Sequence, residues 1–138
     1  MKILGLDVGT KYIGIAVSDS TNQLAIPYEV YKRDGLKKDL IYFDNLVKKL
    51  NIEKVVVGYP LYLDGSESEM SRFVKKFYYK IRHRWENIKV VLWDETLTTE
   101  EAEEIIYEMK KKSKRKEKLK DKIAAALILK SYLENSGG

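Results

Sequence analysis

The sequence has 138 residues, of which 44% are apolar and 34% charged, with a formal net charge of +5. This composition predicts a single folded domain over residues 1–138 and excludes both a disordered chain and two full-sized lobes. The absence of cysteine and the presence of one histidine, His83, exclude disulfides, thiolate ligands and a zinc site built from histidines.

The first part of the chain predicts three strands followed by a helix. Residues 2–7 form an apolar run typical of a buried strand, and residues 12–18 form a second one beyond a short turn. Residues 24–31 are predicted to be a third strand, which Pro27 places at a sheet edge. Residues 35–50 are predicted to be helical, because apolar side chains recur there with a period of 3.6. These side chains are Leu36, Leu40, Phe43, Leu46, Val47 and Leu50.

Strands and helices alternate in the rest of the chain. The predicted strands are residues 54–59 and 88–93, and the predicted helices are residues 67–85, 98–111 and 119–133. The segment before the first of these helices is either a tight turn in which Ser66 caps the helix or a loop bordering the substrate groove. We expect Met70 to face inward and His83 to be exposed. Thr98 and Glu101 have the spacing of a capping box.

This order of elements indicates an α/β fold in three layers. A hairpin-led sheet followed by alternating helices and strands predicts a mixed five-stranded sheet flanked by helices. A ribonuclease-H-like domain has this order, and other three-layer folds share it.

Several carboxylates lie where predicted elements meet. Asp7 ends the first strand, whereas Asp94 and Glu95 end the fifth. Functional sites of such sheets collect beyond the carboxyl ends of parallel strands. Asp121 opens the last helix and precedes the small residues at positions 124 and 125, which would let the helix lie close to the sheet. We therefore expect Asp121 to approach Asp7.

Converging acids repel one another and favour either a proton or a cation. Because the chain has no cysteine, such a site would take hard ions, Mg²⁺ or Mn²⁺. Two ions some 4 Å apart would suit phosphodiester hydrolysis. Structural roles stay open: Asp7 as a turn former, Asp94 as a cap and Asp121 as an acid at a helix N-terminus.

The positive charge is dense in one segment. Residues 110–122 contain nine Lys or Arg and two acids, whereas the rest of the chain sums to −2. Clustered cations bind phosphates without regard to sequence, although a solvated linker has the same composition. The predicted nucleic-acid contacts are Lys11, Lys110, Lys111, Lys112, Lys114, Arg115, Lys116 and Lys118.

Four blocks of the sequence resemble the YqgF/RuvX family. They are residues 3–19, 56–66, 93–99 and 121–133, which follow the family's order and together span most of the chain. The resemblance implies a ribonuclease-H-like fold related to Holliday junction resolvases. It also implies a nuclease that matures the 5′ end of the precursor of 16S ribosomal RNA.

The resemblance implies that Asp7, Glu95 and Asp121 are catalytic and bind the metal. Many nucleases of the wider superfamily carry an acid at the end of the fourth strand, where this chain has Gly58. Glu95 would then take the place of that acid, with Asp94 as the alternative ligand.

Other functions remain open at this stage. The alternatives are a DNA nuclease acting on Holliday junctions, a non-catalytic nucleic-acid-binding factor and an ATP-binding domain that uses Gly9 and Thr10 to hold phosphates. Partners would be structured RNA or branched DNA and a ribosomal precursor, with the chain acting as a monomer or homodimer. No apolar run approaches the ~20 residues of a membrane span and Asp7 interrupts any signal-peptide core, so we expect a cytoplasmic protein without a membrane partner.

Overall fold

A computed structural model describes residues 2–61, 66–94 and 116–135, with the side chains of residues 116–119 excepted. The predicted helix at 98–111, including Thr98 and Glu101, and the segment 110–115 lie outside these residues. The described elements are β1 (Lys2–Val8), β2 (Tyr12–Ser18), β3 (Ala25–Lys32), α1 (Leu36–Lys49), β4 (Ile52–Tyr59), α2 (Glu69–Arg84), β5 (Lys89–Asp94) and α3 (Lys116–Asn135).

The five strands form one mixed sheet in the order β3-β2-β1-β4-β5. β1 and β2 pair antiparallel, as do β2 and β3, whereas β1, β4 and β5 run parallel to one another. The predicted mixed five-stranded sheet is confirmed, and β3 with its Pro27 is an edge strand as expected. The carboxyl ends of β1, β4 and β5 therefore meet at one side of the sheet, which we call the carboxyl edge.

Helices cover both faces of the central strands, which explains why these strands are apolar at successive positions. On one face, Leu4 and Leu6 of β1 join a core with residues of α1 and α2 such as Phe43 and Phe77. On the other face, Ile3 packs with Val56 of β4 and with Leu129 of α3. Side chains of β1 thus alternate between two cores, as a strand requires.

The two middle helices differ from the sequence-based expectation at their first turns. Ser68, not Ser66, caps α2, and it forms a reciprocal capping box with Ser71. Met70 is 39% exposed and Leu36 is 41% exposed, so neither is a core residue. Both predictions were wrong, because the first turns bury polar side chains instead, Asp39 in α1 and Ser71 in α2. His83 is exposed as predicted.

Within the described residues, no helix is long and apolar enough to cross a membrane.

Candidate active site

Asp7 lies near the end of β1 on the face that α3 covers. It pairs directly with Gly14 of β2, and strand alternation gives it the same face as Ile3, which packs against α3. The buried apolar residues before Asp7 hold β1 in the centre of the sheet. A carboxylate at this register therefore projects into the narrow space between the sheet and α3.

Glycines in the strands let α3 come unusually close. A Cβ atom at Gly14 would lie 1.9 Å from the backbone oxygen of Asp121, and one at Gly5 would lie 2.8 Å from Cβ of Leu129. Because Gly14 is the direct partner of Asp7, the backbone of Asp121 crosses the sheet beside Asp7. The expected approach of Asp121 to Asp7 is thus present.

The predicted reason for that approach was only partly correct. Ala125 is fully buried against the sheet, as expected. Ala124 instead packs with Ile123 and Leu127 in a separate cluster. The missing signal was Gly14, an isolated glycine in a strand, which often marks a place where another backbone approaches closely.

The two carboxylates influence each other through a poorly solvated space. Burial and, to a smaller extent, the negative charge of Asp121 raise the pKa of Asp7 to about 7, although the positive charge of Lys120 opposes both. Lys120 is exposed in the first described turns of α3. It belongs to the basic segment, but the sequence did not single it out as a neighbour of Asp7.

The turn after β1 presents Lys11 to solvent at the carboxyl edge. The backbone N–H of Gly9 donates to the oxygen of Tyr12 at 2.9 Å. A Cβ at Gly9 would lie 2.7 Å from that oxygen, so the turn requires glycine. The tight turn keeps Lys11 near the end of β1, where it was predicted to contact substrate.

Arg33 fastens this turn to the rest of the fold. Its guanidinium donates to the carbonyl oxygen of Gly9 at 3.0 Å, and its backbone N–H donates to that of Lys11 at 2.8 Å. The same guanidinium lies 5.3 Å from the ring centres of Phe73 and Phe77 of α2. Arg33 therefore connects the turn beside Asp7 to the opposite face of the sheet.

Asp39 in the first turn of α1 neutralises Arg33. Its carboxylate lies 2.9 Å from Nε of Arg33 and also accepts from the Tyr31 hydroxyl and the Asp34 backbone N–H. Its side chain is 1% exposed and that of Arg33 is 13% exposed. This pair is not evident from the sequence, because an acid in a first helical turn is usually a solvated partner of the helix dipole.

The ends of β4 and β5 place further limits on the site. Gly58 is paired with Trp93, and alternation gives both the α3 face, so β4 supplies no carboxylate there. Asp94 is exposed. It lies two residues after Leu92, which packs with the core of α1 and α2, and alternate residues of a strand share one face. Asp94 thus lies on the face away from Asp7. Glu95 is outside the described residues.

The predicted phosphate contacts fall into three groups. Lys11 is at the carboxyl edge, Lys116 and Lys118 belong to α3 with undescribed side chains, and the remaining predicted contacts lie outside the described residues. No cluster of three potential metal-binding side chains occurs within the ranges that the structure describes. Of the three predicted site carboxylates, the described part brings together Asp7 and Asp121.

This sheet order, with helices on both faces and an acid near the end of the central strand, defines a ribonuclease-H-like domain. Solved structures share the fold: RuvC of T. thermophilus in complex with a Holliday junction substrate has a TM-score of 0.62 at 16% identity, covering 99% of this chain and 97% of the other. The Fowlpox virus resolvase in complex with Holliday junction DNA has a TM-score of 0.60 at 18% identity, covering 99% of each chain.

Sequence comparison gives the family. The family model "RuvX: Holliday junction resolvase" matches residues 1–135, so the chain belongs to the RuvX family of nucleases. A protein of Caldanaerobacter subterraneus subsp. tengcongensis named "Putative pre-16S rRNA nuclease" is 41% identical over 136 residues, which are 98% of this chain and 97% of that protein. A protein of the same name from Anaplasma marginale is 41% identical over 99% of this chain and 87% of its own length.

Proposed function

We propose that the protein is a metal-dependent endonuclease that hydrolyses phosphodiester bonds in the 5′-end maturation of precursor 16S ribosomal RNA. The observation that carries the chemistry is the passage of the Asp121 backbone across Gly14, directly beside Asp7. The names of relatives that match nearly the whole chain support the choice of substrate.

The donor set fits a hard divalent ion. Asp7 and Asp121 supply carboxylate oxygens, which Mg²⁺ and Mn²⁺ prefer. Two acids held together in a poorly solvated space also need a compensating charge. We assign the third ligand to Glu95, since Asp94 lies on the opposite face. When bound, such ions activate a water molecule and stabilise the leaving oxygen.

The chain's own residues then hold the substrate. Lys11 would contact a phosphate beside the scissile bond, and the basic segment at residues 110–122 would hold the flanking backbone. Contacts to phosphate position the substrate but carry no sequence information. Selection of RNA would therefore depend on shape and on the 2′-hydroxyls.

Cleavage of a precursor 16S RNA fragment and of a four-way DNA junction, each with Mg²⁺ or Mn²⁺, tests the proposal. We expect metal-dependent RNA cleavage by the wild type and a loss of at least about 100-fold in Asp7→Asn. Loss of a residue that merely supports a ligand already costs about 10- to 100-fold. Asp34→Asn is the matched control, because the Asp34 side chain is 72% exposed and forms only a surface pair with Lys38.

Each other outcome contradicts part of the proposal. Cleavage of the junction alone would replace the RNA substrate with branched DNA and would call for two active sites in a dimer. Equal RNA cleavage by wild type and Asp7→Asn would overturn the site. Binding without cleavage of either substrate would indicate a non-catalytic nucleic-acid-binding factor.

A further inference from the structure

The outer surface of α2 is strongly basic. This helix of 16 residues contains six Lys or Arg and a single acid, Glu69, which gives it a net charge of +5. Its inner surface is apolar, with Val74, Phe77 and Ile81 in the core. Most of the cations therefore lie on the side that faces away from the sheet, whereas Arg84 pairs with Asp44 of α1 at 2.7 Å.

Many of the polar side chains of α2 follow one line along the helix. At 3.6 residues per turn, positions 72, 76, 79 and 83 fall within about 60° of one another, with positions 75 and 80 on either side. The line is about 16 Å long, with neighbouring members about 5–6 Å apart along the axis. We call this surface the α2 ridge, and its members are Arg72, Lys75, Lys76, Tyr79, Lys80 and His83.

The fold uses little of this charge. Within the described part of the chain, no carboxylate oxygen lies within 4 Å of the charged nitrogens of Arg72, Lys76 or Lys80. Lys75 lies 3.7 Å from Glu67, and Glu67 already accepts a hydrogen bond from the Tyr59 hydroxyl. The charges of Arg72, Lys76 and Lys80 thus remain available to an external anion.

The α2 ridge begins at the carboxyl edge. The Ser68 hydroxyl, which caps α2, also donates to the carbonyl oxygen of Pro60 just after β4 at 2.8 Å. Leu61 and Glu67 form a short antiparallel bridge. The first turn of α2 is therefore anchored next to the ends of the parallel strands, on the side of the sheet where β1 ends with Asp7 and Val8.

We propose that the α2 ridge binds the sugar–phosphate backbone of the RNA that flanks the cleavage site. The inference rests on the proposed function, since it takes the substrate to be RNA. A line of exposed cations, most of them without a carboxylate within 4 Å in the described part of the chain, is complementary to a polyphosphate chain. Tyr79 is 44% exposed in the middle of this line and supplies a ring on which an unpaired base can stack.

The position of the ridge explains what it would add to the reaction. The carboxyl edge borders both faces of the sheet, so a backbone bound at Asp7 can continue over this edge onto the first turns of α2. Residues 110–122 and Lys11 would then hold the RNA near the scissile bond, whereas the α2 ridge would hold RNA further away. Such contacts strengthen binding without entering the chemical step.

The test compares two variants with the same loss of charge. In one, Arg72, Lys76 and Lys80 are replaced by alanine; in the control, the exposed α1 lysines Lys37, Lys48 and Lys49 are replaced by alanine. Binding of a precursor 16S RNA fragment is measured in EDTA, which prevents metal-dependent cleavage, at salt concentrations from 50 to 200 mM. Because each phosphate contact contributes about 0.7–0.9 to the salt slope, the ridge variant should lower that slope by about 2–3 and weaken binding at least about 10-fold at 100 mM salt.

The outcomes separate this inference from the proposed function. A lower salt slope in the ridge variant and a wild-type slope in the control support RNA binding by the α2 ridge, even if the wild type cuts no RNA. Equal slopes in the two variants overturn RNA binding by the α2 ridge, even if the wild type cuts RNA as proposed. All six of the substituted side chains are exposed. Circular dichroism of both variants checks that weaker binding does not result from unfolding.

Discussion

At the scale of single residues, the turn beside Asp7 depends on the buried ion pair between Arg33 and Asp39. Arg33 bonds the carbonyl oxygen of Gly9 and is itself held by Asp39. Burial alone would raise the pKa of Asp39, but donors from Asp34, Arg33 and Tyr31 outweigh it and lower that pKa below its ordinary value of 3.8. The ionised form of Asp39 is therefore the form that the fold stabilises.

Asp39→Asn should destabilise the protein at neutral pH and make its free energy of unfolding less dependent on pH in the acid range. Removing one partner of a buried pair costs about 3 kcal/mol, because it leaves Arg33 uncompensated. Since the folded-state pKa is lowered, the stability contributed by Asp39 is present at pH 7 and is lost as the pH falls below about 4. Urea unfolding of wild type and Asp39→Asn at pH 7 and pH 3 measures this, with exposed Asp34→Asn as control. A stability difference that is the same at both pH values would contradict the assignment.

At the scale of elements, the strands were the most predictable part of the fold. Their apolar runs and the edge position of Pro27 follow from local composition and are confirmed. The short distance between α3 and the sheet was harder to predict. It depends on the position of Gly14 beside Asp7, and only the assembled sheet shows this pairing. The link between Arg33 and the turn was equally hidden, because it joins residues 24 positions apart through a side chain.

The same close packing predicts a graded response to alanine in the strands. A Cβ at Gly14 would meet the backbone oxygen of Asp121, which cannot move without shifting α3, whereas a Cβ at Gly5 first meets the Leu129 side chain. Overpacking of a core usually costs about 1–3 kcal/mol, and Gly14→Ala should lie at or above the upper end.

Thermal unfolding and RNA cleavage of the two variants check this order. Gly14→Ala should lower both Tm and cleavage more than Gly5→Ala, because it displaces Asp121 itself from Asp7. Equal effects of the two substitutions, or a larger effect of Gly5→Ala, would show that the helix is not held at this distance by the glycine of β2.

At the scale of the whole molecule, two basic segments are partly offset by acids elsewhere. Residues 110–122 carry +7 and α2 carries +5, which leaves −7 on the remaining residues. Only the charge of residues 110–122 is evident from the sequence, because the charge of α2 is hidden when it is summed with its acidic surroundings. These cations come to lie on one side only when the segment is helical.

Metal binding should also be visible in the stability of the whole fold. Asp7 and Asp121 are held together where burial and like charge disfavour ionisation, so the metal-free protein carries an unfavourable interaction. A ligand bound only by the folded state at about ten times its Kd adds ~1.4 kcal/mol, or about 3–6 °C in Tm for a chain of this size.

We therefore expect Mg²⁺ or Mn²⁺ to raise the Tm of the wild type. Asp7→Asn should melt at a higher temperature than the wild type in EDTA, because the amide removes the buried charge, and it should gain little when metal is added. Differential scanning calorimetry of both proteins with and without metal measures the two effects independently of any substrate. A variant that melts below the wild type in EDTA, yet gains as much from metal, would show that Asp7 is a structural residue and not a ligand.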